Sequence, residues 1–427
     1  MTALLALLAL VAAGTAQGAG LSSLEERLAE EIDRRQPRAL ALLERSVNIN
    51  SGTLNFSGVK QVGQVFSEAL GELGMKTRWI DGDAFGRAGH VVAEHGDRGR
   101  HLLLIGHLDT VFEPDSPFQR FERLEEGHAR GPGIIDMKGG NVVIVEALAA
   151  LAAVGALDDL RVTVVLTGDE ESSGRPLPLA RQALLEAADA ADVALGFEDG
   201  DGNPATAVIA RRGFTGWRLS VEGTPAHSSL IFREEVGAGA VFEAARILDT
   251  FRRDLAGERY LTFNPGVLVA GTRADYDAAR STGEAFGKTN VVAEHAVADG
   301  DLRTLSPEQL VSAKARMAEI VSRHLPGTSA RIEFEDGYPP LAPTDGNREL
   351  LSLYSQVSRD LGLGEVTAVD PAAAGAADIS FTAGRVDMAL DGLGLMGRGG
   401  HTVQETADLA TLASQTKRAA ILMHRLR

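Results

Sequence analysis

A histidine and an aspartate stand two positions apart, His107 and Asp109, at the end of the apolar run 102–106. Such a run reads as a buried strand, and in extended chain residues i and i+2 face the same side. A carboxylate beside a histidine accepts the second ring N–H, fixes the tautomer and frees the other nitrogen for a metal. The alternative is a plain His–Asp hydrogen bond at a strand end. Further donors follow. Asp136 lies in the glycine-rich stretch 130–140, directly before the apolar segment 142–154. The run 160–168 delivers Asp169, Glu170 and Glu171, the run 192–197 delivers Glu198 and Asp199, and His401 lies in the glycine loop 397–405. Open α/β sheets place their sites at the carboxyl ends of strands, where these residues recur. The chain has no cysteine, so a metal here must be held by His, Asp and Glu.

The elements that must position these residues are legible from periodicity. Apolar residues at helical spacing run from 24 to 47, with Pro37 interrupting, and again from 59 to 73, closing at Gly74. Strands are expected at 75–80, 90–94 and 102–106, followed by helix 142–154, strand 161–167, helix 177–188 and strand 192–197. That alternation is βαβ grammar and predicts an α/β fold with a mixed, largely parallel sheet flanked by helices. After Arg212 the grammar changes: strand 213–223, helix 236–255, strands 261–270 and 290–302, helix 307–324 and strand 330–335. The order βαββαβ predicts an inserted ferredoxin-like α+β domain. Helices 348–361 and 409–426 then return to the first domain. The expected division is a signal peptide at 1–20, a catalytic part at 21–212, an inserted domain at 213–327 and a second catalytic part at 328–427.

With 427 residues and 44% apolar composition, the chain is too long for one simple core. Its formal charge of −17 is spread along the sequence, and no basic patch suits nucleic acid. An anionic substrate would need local arginines, for which Arg211, Arg212, Arg303 and Arg398 are available. The uninterrupted apolar run 3–13, followed by small residues, reads as a secretory signal, although no Lys or Arg precedes it. It is too short to span a bilayer, so no stable membrane insertion is expected and the protein is placed in the periplasm or outside the cell. The alternative is an N-terminal helix packed on a cytoplasmic protein. His90, His95, His101, His128, His295, His324 and His424 lie in polar or helical contexts and read as surface or core residues.

Four stretches, in this order and separation, carry a family likeness: Gly106-His-Leu-Asp-Thr110, Gly133-Ile-Ile-Asp-Met-Lys-Gly-Gly140, Gly168-Asp-Glu-Glu-Ser-Ser-Gly174 and Gly399-Gly-His401. Together they resemble the M20 family of co-catalytic zinc peptidases and deacylases, among them glutamate carboxypeptidases, aminoacylases and succinyl-diaminopimelate desuccinylase. The resemblance implies two Zn2+ per chain, with Co2+ or Mn2+ able to use the same donors. It assigns His107 and Glu198 to one metal, Glu171 and His401 to the other, and Asp136 to both. Asp199 competes with Glu198 for its place; Glu198 is preferred because it directly follows Phe197, as in the glutamate carboxypeptidase branch. Asp109 would orient His107, and Glu170 would be general base and acid. The family's peptide bond after Asp136 is cis, and Met137 stands where many members have a second acid. In the inserted domain, read as a lid and dimerisation unit, His227 matches a lid histidine, and Asn290 and Arg303 match positions that bind a substrate carboxylate. The implied activity is hydrolysis of an amide in a small carboxylate-bearing peptide by a glutamate carboxypeptidase-like exopeptidase, with an N-acyl amino acid deacylase as runner-up. The expected assembly is a homodimer in which His227 reaches the partner's active site. A metal-free binding or scaffold member is the rival of another class, and five ligands kept together with Glu170 speak against it.

Overall fold

The computed structural model describes residues 20–427 apart from Glu126 and Ala279, so the run 3–13 read as an export signal lies outside the described residues. Helix α1, Ser23–Val47, opens with a capping box in which Ser22 Oγ accepts from Glu25 N and the Glu25 carboxylate accepts from Ser22 N. It runs unbroken through Pro37, contrary to the interruption expected there. Proline removes one intrahelical donor, but α1 is held from outside along its length: Leu28, Ile32, Ala39 and Leu43 are buried, and Arg35 pairs with Glu146 at 2.6 Å. Helix α2, Phe56–Gly71, follows, capped by Asn55.

The body continues with β1 (Lys76–Asp81), β2 (Gly89–His95), β3 (His101–His107), α3 (Gly139–Ala153), β4 (Arg161–Thr167), α4 (Gln182–Ala190) and β5 (Val193–Gly196). The inserted region contains β6 (Thr215–Gly223), α5 (Ala240–Leu255), β7 (Thr262–Gly271), β8 (Arg273–Asp277), β9 (Thr282–Phe286), β10 (His295–Arg303), α6 (Pro307–Val321) and β11 (Thr328–Asp336). The chain closes with α7 (Asp345–Asp360), β12 (Met388–Leu390) and α8 (Ala410–Leu426).

The main sheet has the order β1-β2-β4-β3-β5-β12. β1/β2 and β2/β4 are antiparallel, while β4/β3, β3/β5 and β5/β12 are parallel. β3 is central and buried at every residue. Leu102 and Leu104 join the core beneath α1 and α3, whereas Leu103 and Ile105 join the cluster beneath α4. Both faces are covered, so the strand needs an unbroken apolar run and not an alternating one. Each leucine fully withdrawn from water here contributes roughly 1.5–3 kcal/mol. α3 is buried on nearly all sides, which is why its sequence is apolar all round.

The inserted sheet has the order β7-β10-β6-β11 and is antiparallel throughout. With α5 and α6 on one face it is the ferredoxin-like sandwich expected from βαββαβ. β6 alternates buried and half-buried residues, and Trp217, Leu219 and Val221 meet Ile247, Phe251 and Met317 in a core of their own. β11 pairs with β6 along its whole length, Thr328 opposite Gly223 to Asp336 opposite Thr215. A division at 327 therefore cuts off one strand, and the inserted unit extends to Asp336.

Candidate metal centre and active site

Three strand exits converge. His107 ends β3, Asp169 to Glu171 follow β4, and Glu198 lies two residues beyond β5. Leu108 N donates to Thr167 O at 2.7 Å and Phe197 N to Ile105 O at 3.1 Å, so the ladder of the sheet continues to the site and fixes the three exits against one another. Asp136 sits in the turn Ile134–Lys138 before α3, where its bond to Met137 is cis. His401 lies between two short antiparallel strands, Gly397–Arg398 and Thr406–Asp408, with φ +62°. A non-glycine residue in that region is held there by its surroundings and is a frequent companion of function.

The geometry gathers these donors into two groups that share one member. His107, Asp136 and Glu198 form the first and Asp136, Glu171 and His401 the second, with the ligand atoms of each group within 4.8 Å of one another. His107 Nε2 is 3.0 Å from Asp136 Oδ1 and 3.6 Å from Glu198 Oε1. His401 Nε2 is 2.8 Å from Asp136 Oδ2 and 3.2 Å from Glu171 Oε2. Asp136 thus turns one oxygen to each histidine. Glu198, and not Asp199, faces His107.

Charge crowds this space. Burial pushes Glu170, Glu171 and Glu198 up from the ordinary carboxylate range, and neighbouring carboxylates push in the same direction. Burial also raises Asp199, to about 7. Asp136 is the exception: burial opposes its ionisation, but the two histidines hold it well below its usual value. Hydrogen bonds to Asp136 and then Glu171 raise His401 to about 11. Burial disfavours charge on His107, yet Glu198, Asp109 and Asp136 outweigh it and raise its pKa. An anionic cluster of this kind calls for cations. Glu171 Oε1 is buried without a hydrogen-bond partner, so it has a lone pair to give. Imidazole and carboxylate donors at these spacings fit a pair of divalent ions.

The residues beneath the donors do more than the sequence suggests. His107 Nδ1 lies 3.0 Å from the backbone oxygen of Asp109 and 3.5 Å from its carboxylate. The Asp109 carboxylate accepts instead from Thr53 Oγ1 at 2.6 Å, Glu170 N at 3.0 Å and Glu171 N at 3.2 Å. It therefore orders the Glu170-Glu171 turn as well as the histidine. Glu405 accepts from Gly133 N, Ile135 N and Asp136 N at 3.0, 2.9 and 3.2 Å, tying the His401 loop to the Asp136 turn. Its position four residues after His401 was the only sequence signal for this role. Lys138 is fully buried, donates to Ile49 O at 3.0 Å, and is pulled down to about 7 by burial.

The candidate substrate residues belong to neither donor group. His227 is exposed, with Nδ1 2.9 Å from Ser229 Oγ, and its backbone bridges Val291. Ser228 N donates to Asn290 O at 2.9 Å, so His227 and Asn290 share one corner of the inserted domain. Arg303 is engaged by Asp301 at 2.8 Å and stacks over Phe214. Arg398 is exposed beside the His401 loop. Arg211 departs from the expectation of an available surface arginine: it is buried, with Nε donating to Asp391 Oδ2 at 2.8 Å. Arg212 bonds Thr262 Oγ1 and Ala372 O.

The sequence of residues 103–425 matches the model of peptidase family M20/M25/M40. Carboxypeptidase G2 of a Pseudomonas species is 26% identical over 396 residues, spanning 91% of this chain and 89% of that protein. Succinyl-diaminopimelate desuccinylase of Acidiphilium cryptum is 26% identical over 362 residues, spanning 82% and 88%. Among solved structures, aminopeptidase PepT of Bacillus cereus superposes with a TM-score of 0.71 at 18% identity, covering 92% of this chain and 98% of that one. Bacillus subtilis YXEP, described as a dinuclear metal-binding peptidase of family M20, superposes with a TM-score of 0.64 at 15% identity over 92% and 98%. The matched span contains all four motifs, and the chain belongs to peptidase family M20/M25/M40 as one of its hydrolases.

Proposed function

We propose that this hydrolase cleaves an amide bond in a small substrate bearing a free carboxylate, as a glutamate carboxypeptidase-like exopeptidase. The observation that carries the reading is the pair of donor groups sharing Asp136. His107 and Glu198 would hold one divalent ion, Glu171 and His401 the other, and Asp136 both; the donor set suits zinc. Such ions, when bound, polarise the scissile carbonyl and lower the pKa of water. Glu170, beside a donor but not in either group, takes the proton from the attacking water and delivers it to the leaving nitrogen.

The inserted unit, 213–336, acts in this reading as a lid and as the contact surface of a homodimer. His227 donates a hydrogen bond to the oxygen that becomes negative in the tetrahedral intermediate of the partner's site. Asn290 and Arg303 receive the substrate carboxylate, Arg303 by exchanging its bond to Asp301. The N-terminal run 3–13 directs export. A second reading, an N-acyl amino acid deacylase, is favoured by the likeness to succinyl-diaminopimelate desuccinylase.

A turnover panel of dipeptides and N-acyl amino acids, each with its C-terminal amide as control, separates the readings. Metal content is measured on the same preparation. We expect close to two metals per chain and hydrolysis of free acids alone. Equal turnover of the amides would remove the carboxylate from the reading, and metal located away from these five residues would sink the site.

A further inference from the structure

The chain enters the inserted domain through residues 211–214 and leaves it through 337–341, and these two segments run side by side. Arg211 and Leu341 exchange backbone hydrogen bonds, both 3.0 Å. Phe214 N donates to Tyr338 O at 2.8 Å, and Gly337 N to Phe214 O at 3.1 Å. Each segment sends a polar side chain toward the turns that carry the donors. From the outgoing one, Tyr338 Oη donates to the backbone oxygen of Glu170 at 2.8 Å. From the incoming one, Arg211 holds Asp391, whose Oδ1 accepts from Glu198 N at 3.3 Å.

The tyrosine is itself fixed. Its oxygen accepts from Arg181 Nη2 at 2.9 Å, and its ring lies 5.0 Å from that of Phe381. Arg181 is fully buried and spans four side chains: Asp169 Oδ1 at 2.6 Å, Asp378 Oδ1 at 3.0 Å, Ser173 Oγ at 3.0 Å and the tyrosine hydroxyl. Its guanidinium lies over the Tyr338 and Phe381 rings at 5.6 and 5.4 Å. With Arg181 Nη2 and, at 3.4 Å, Ser173 Oγ donating to the phenol oxygen, the phenol proton goes to Glu170 O, the nearest acceptor. The peptide groups of Glu170 are then held on both sides, its N–H by Asp109 and its C=O by Tyr338.

We propose that Tyr338 is a positioning residue for Glu170, through which the crossover between inserted domain and body sets the reach of that carboxyl group. This rests on Glu170 being the general base. Positioning matters at this scale because a misplacement of ~1 Å can cost ~100-fold in rate.

Tyr338→Phe keeps the ring stack and removes the proton donated to Glu170 O. With the best free-acid substrate of the panel, kcat should fall about tenfold while KM stays within about twofold and metal content is unchanged. Combined with Glu170→Ala, it should cost nothing further, because a residue that acts only through Glu170 has no separate effect. Amide hydrogen exchange should quicken across 169–174 and stay at wild-type rates in β3. A second variant approaches from the hinge: a Cβ at Gly213 would stand 2.8 Å from Tyr338 O. Gly213→Ala should lower kcat in the wild-type background and have no effect in Tyr338→Phe. Wild-type kcat and exchange in Tyr338→Phe would overturn the proposal, as would additive losses, or loss of metal with faster exchange throughout the core. If Glu170→Ala itself keeps wild-type turnover, the base is misassigned, and the exchange measurement still decides whether Tyr338 holds the turn.

Discussion

A carboxylate that receives three backbone N–H groups is a clamp, and Glu405 applies it to the turn presenting the shared donor Asp136. Glu405→Gln keeps the volume but turns an amide NH2 toward N–H groups that need an acceptor. We expect metal affinity to fall by about 10–100-fold, the scale of lost supporting contacts around a ligand, in a chelator competition assay; unchanged affinity would mean that the turn holds its shape unaided. Glu170→Ala should leave metal content near normal and reduce turnover by ~100-fold or more. Metal loss in that variant would instead exchange the roles of Glu170 and Glu171. His90 allows a pH test away from the donors. Its Nδ1 accepts from Gly168 N at 3.1 Å and its Nε2–H donates to Ala180 O at 2.8 Å, so the neutral ring is fully satisfied, and burial lowers its pKa. The unfolded chain takes up a proton near pH ~6.5 where the folded one resists it. Stability therefore falls as pH drops through that value, and stops falling once the folded form protonates as well. Urea midpoints between pH ~7 and ~5 should slope less in His90→Gln than in the wild type. Among the donors, His107, Glu171 and Glu198 were legible because each follows an apolar run, and Asp136 and His401 because each lies in a glycine-rich turn. Arg211 was not, because its partner Asp391 is 180 positions away and nothing local distinguishes a buried arginine from a solvated one.

Among the elements, the strands that were easiest to read are those with two covered faces. β3 and β4 have no solvent side and announce themselves as apolar runs. The hairpin β8–β9 escaped notice for the opposite reason: β9 is exposed at every residue, so its sequence carries no alternation to detect. The boundary expected at 327 falls short of β11, although a strand was legible at 330–335, because what assigns that strand to the inserted sheet is its pairing with β6, more than a hundred residues earlier. The start of α3 shows how closely an element and the site are joined. A Cβ at Gly140 would stand 1.9 Å from Phe197 O and 2.9 Å from Met137 Cε. Gly140→Ala should therefore cost about 1–3 kcal/mol or more, in the manner of overpacked cores, and displace the residue before Glu198. Denaturant unfolding reads the first effect and metal titration the second; a variant with wild-type values for both would show that α3 moves freely against β5.

At the scale of the molecule, two cores are joined by one two-stranded crossover. If the inserted unit dimerises and its histidine serves the neighbouring site, mixing inactive His227→Ala chains with inactive Glu170→Ala chains should restore up to about a quarter of wild-type activity per site, the share expected when only one site in each mixed dimer is whole. No recovery, or a monomer in solution, would confine His227 to its own chain. Among the described residues no helix is long and apolar enough to cross a membrane.

α8, the last helix, packs against α1 and α3, and is pinned to the first by Arg425 on Glu25 at 2.6 Å. The last donor, His401, lies nine positions before its first residue, Ala410. Synthesis runs from the amino end at about 5–20 residues per second, so a growing chain can present His107, Asp136 and Glu198 while the second group is still missing His401 and the clamp Glu405. The first core is likewise open until α8 arrives. The two donor groups are therefore completed in order, the one with His107 and Glu198 before the one with His401, and the second can close only once the chain has been made through Glu405 and α8.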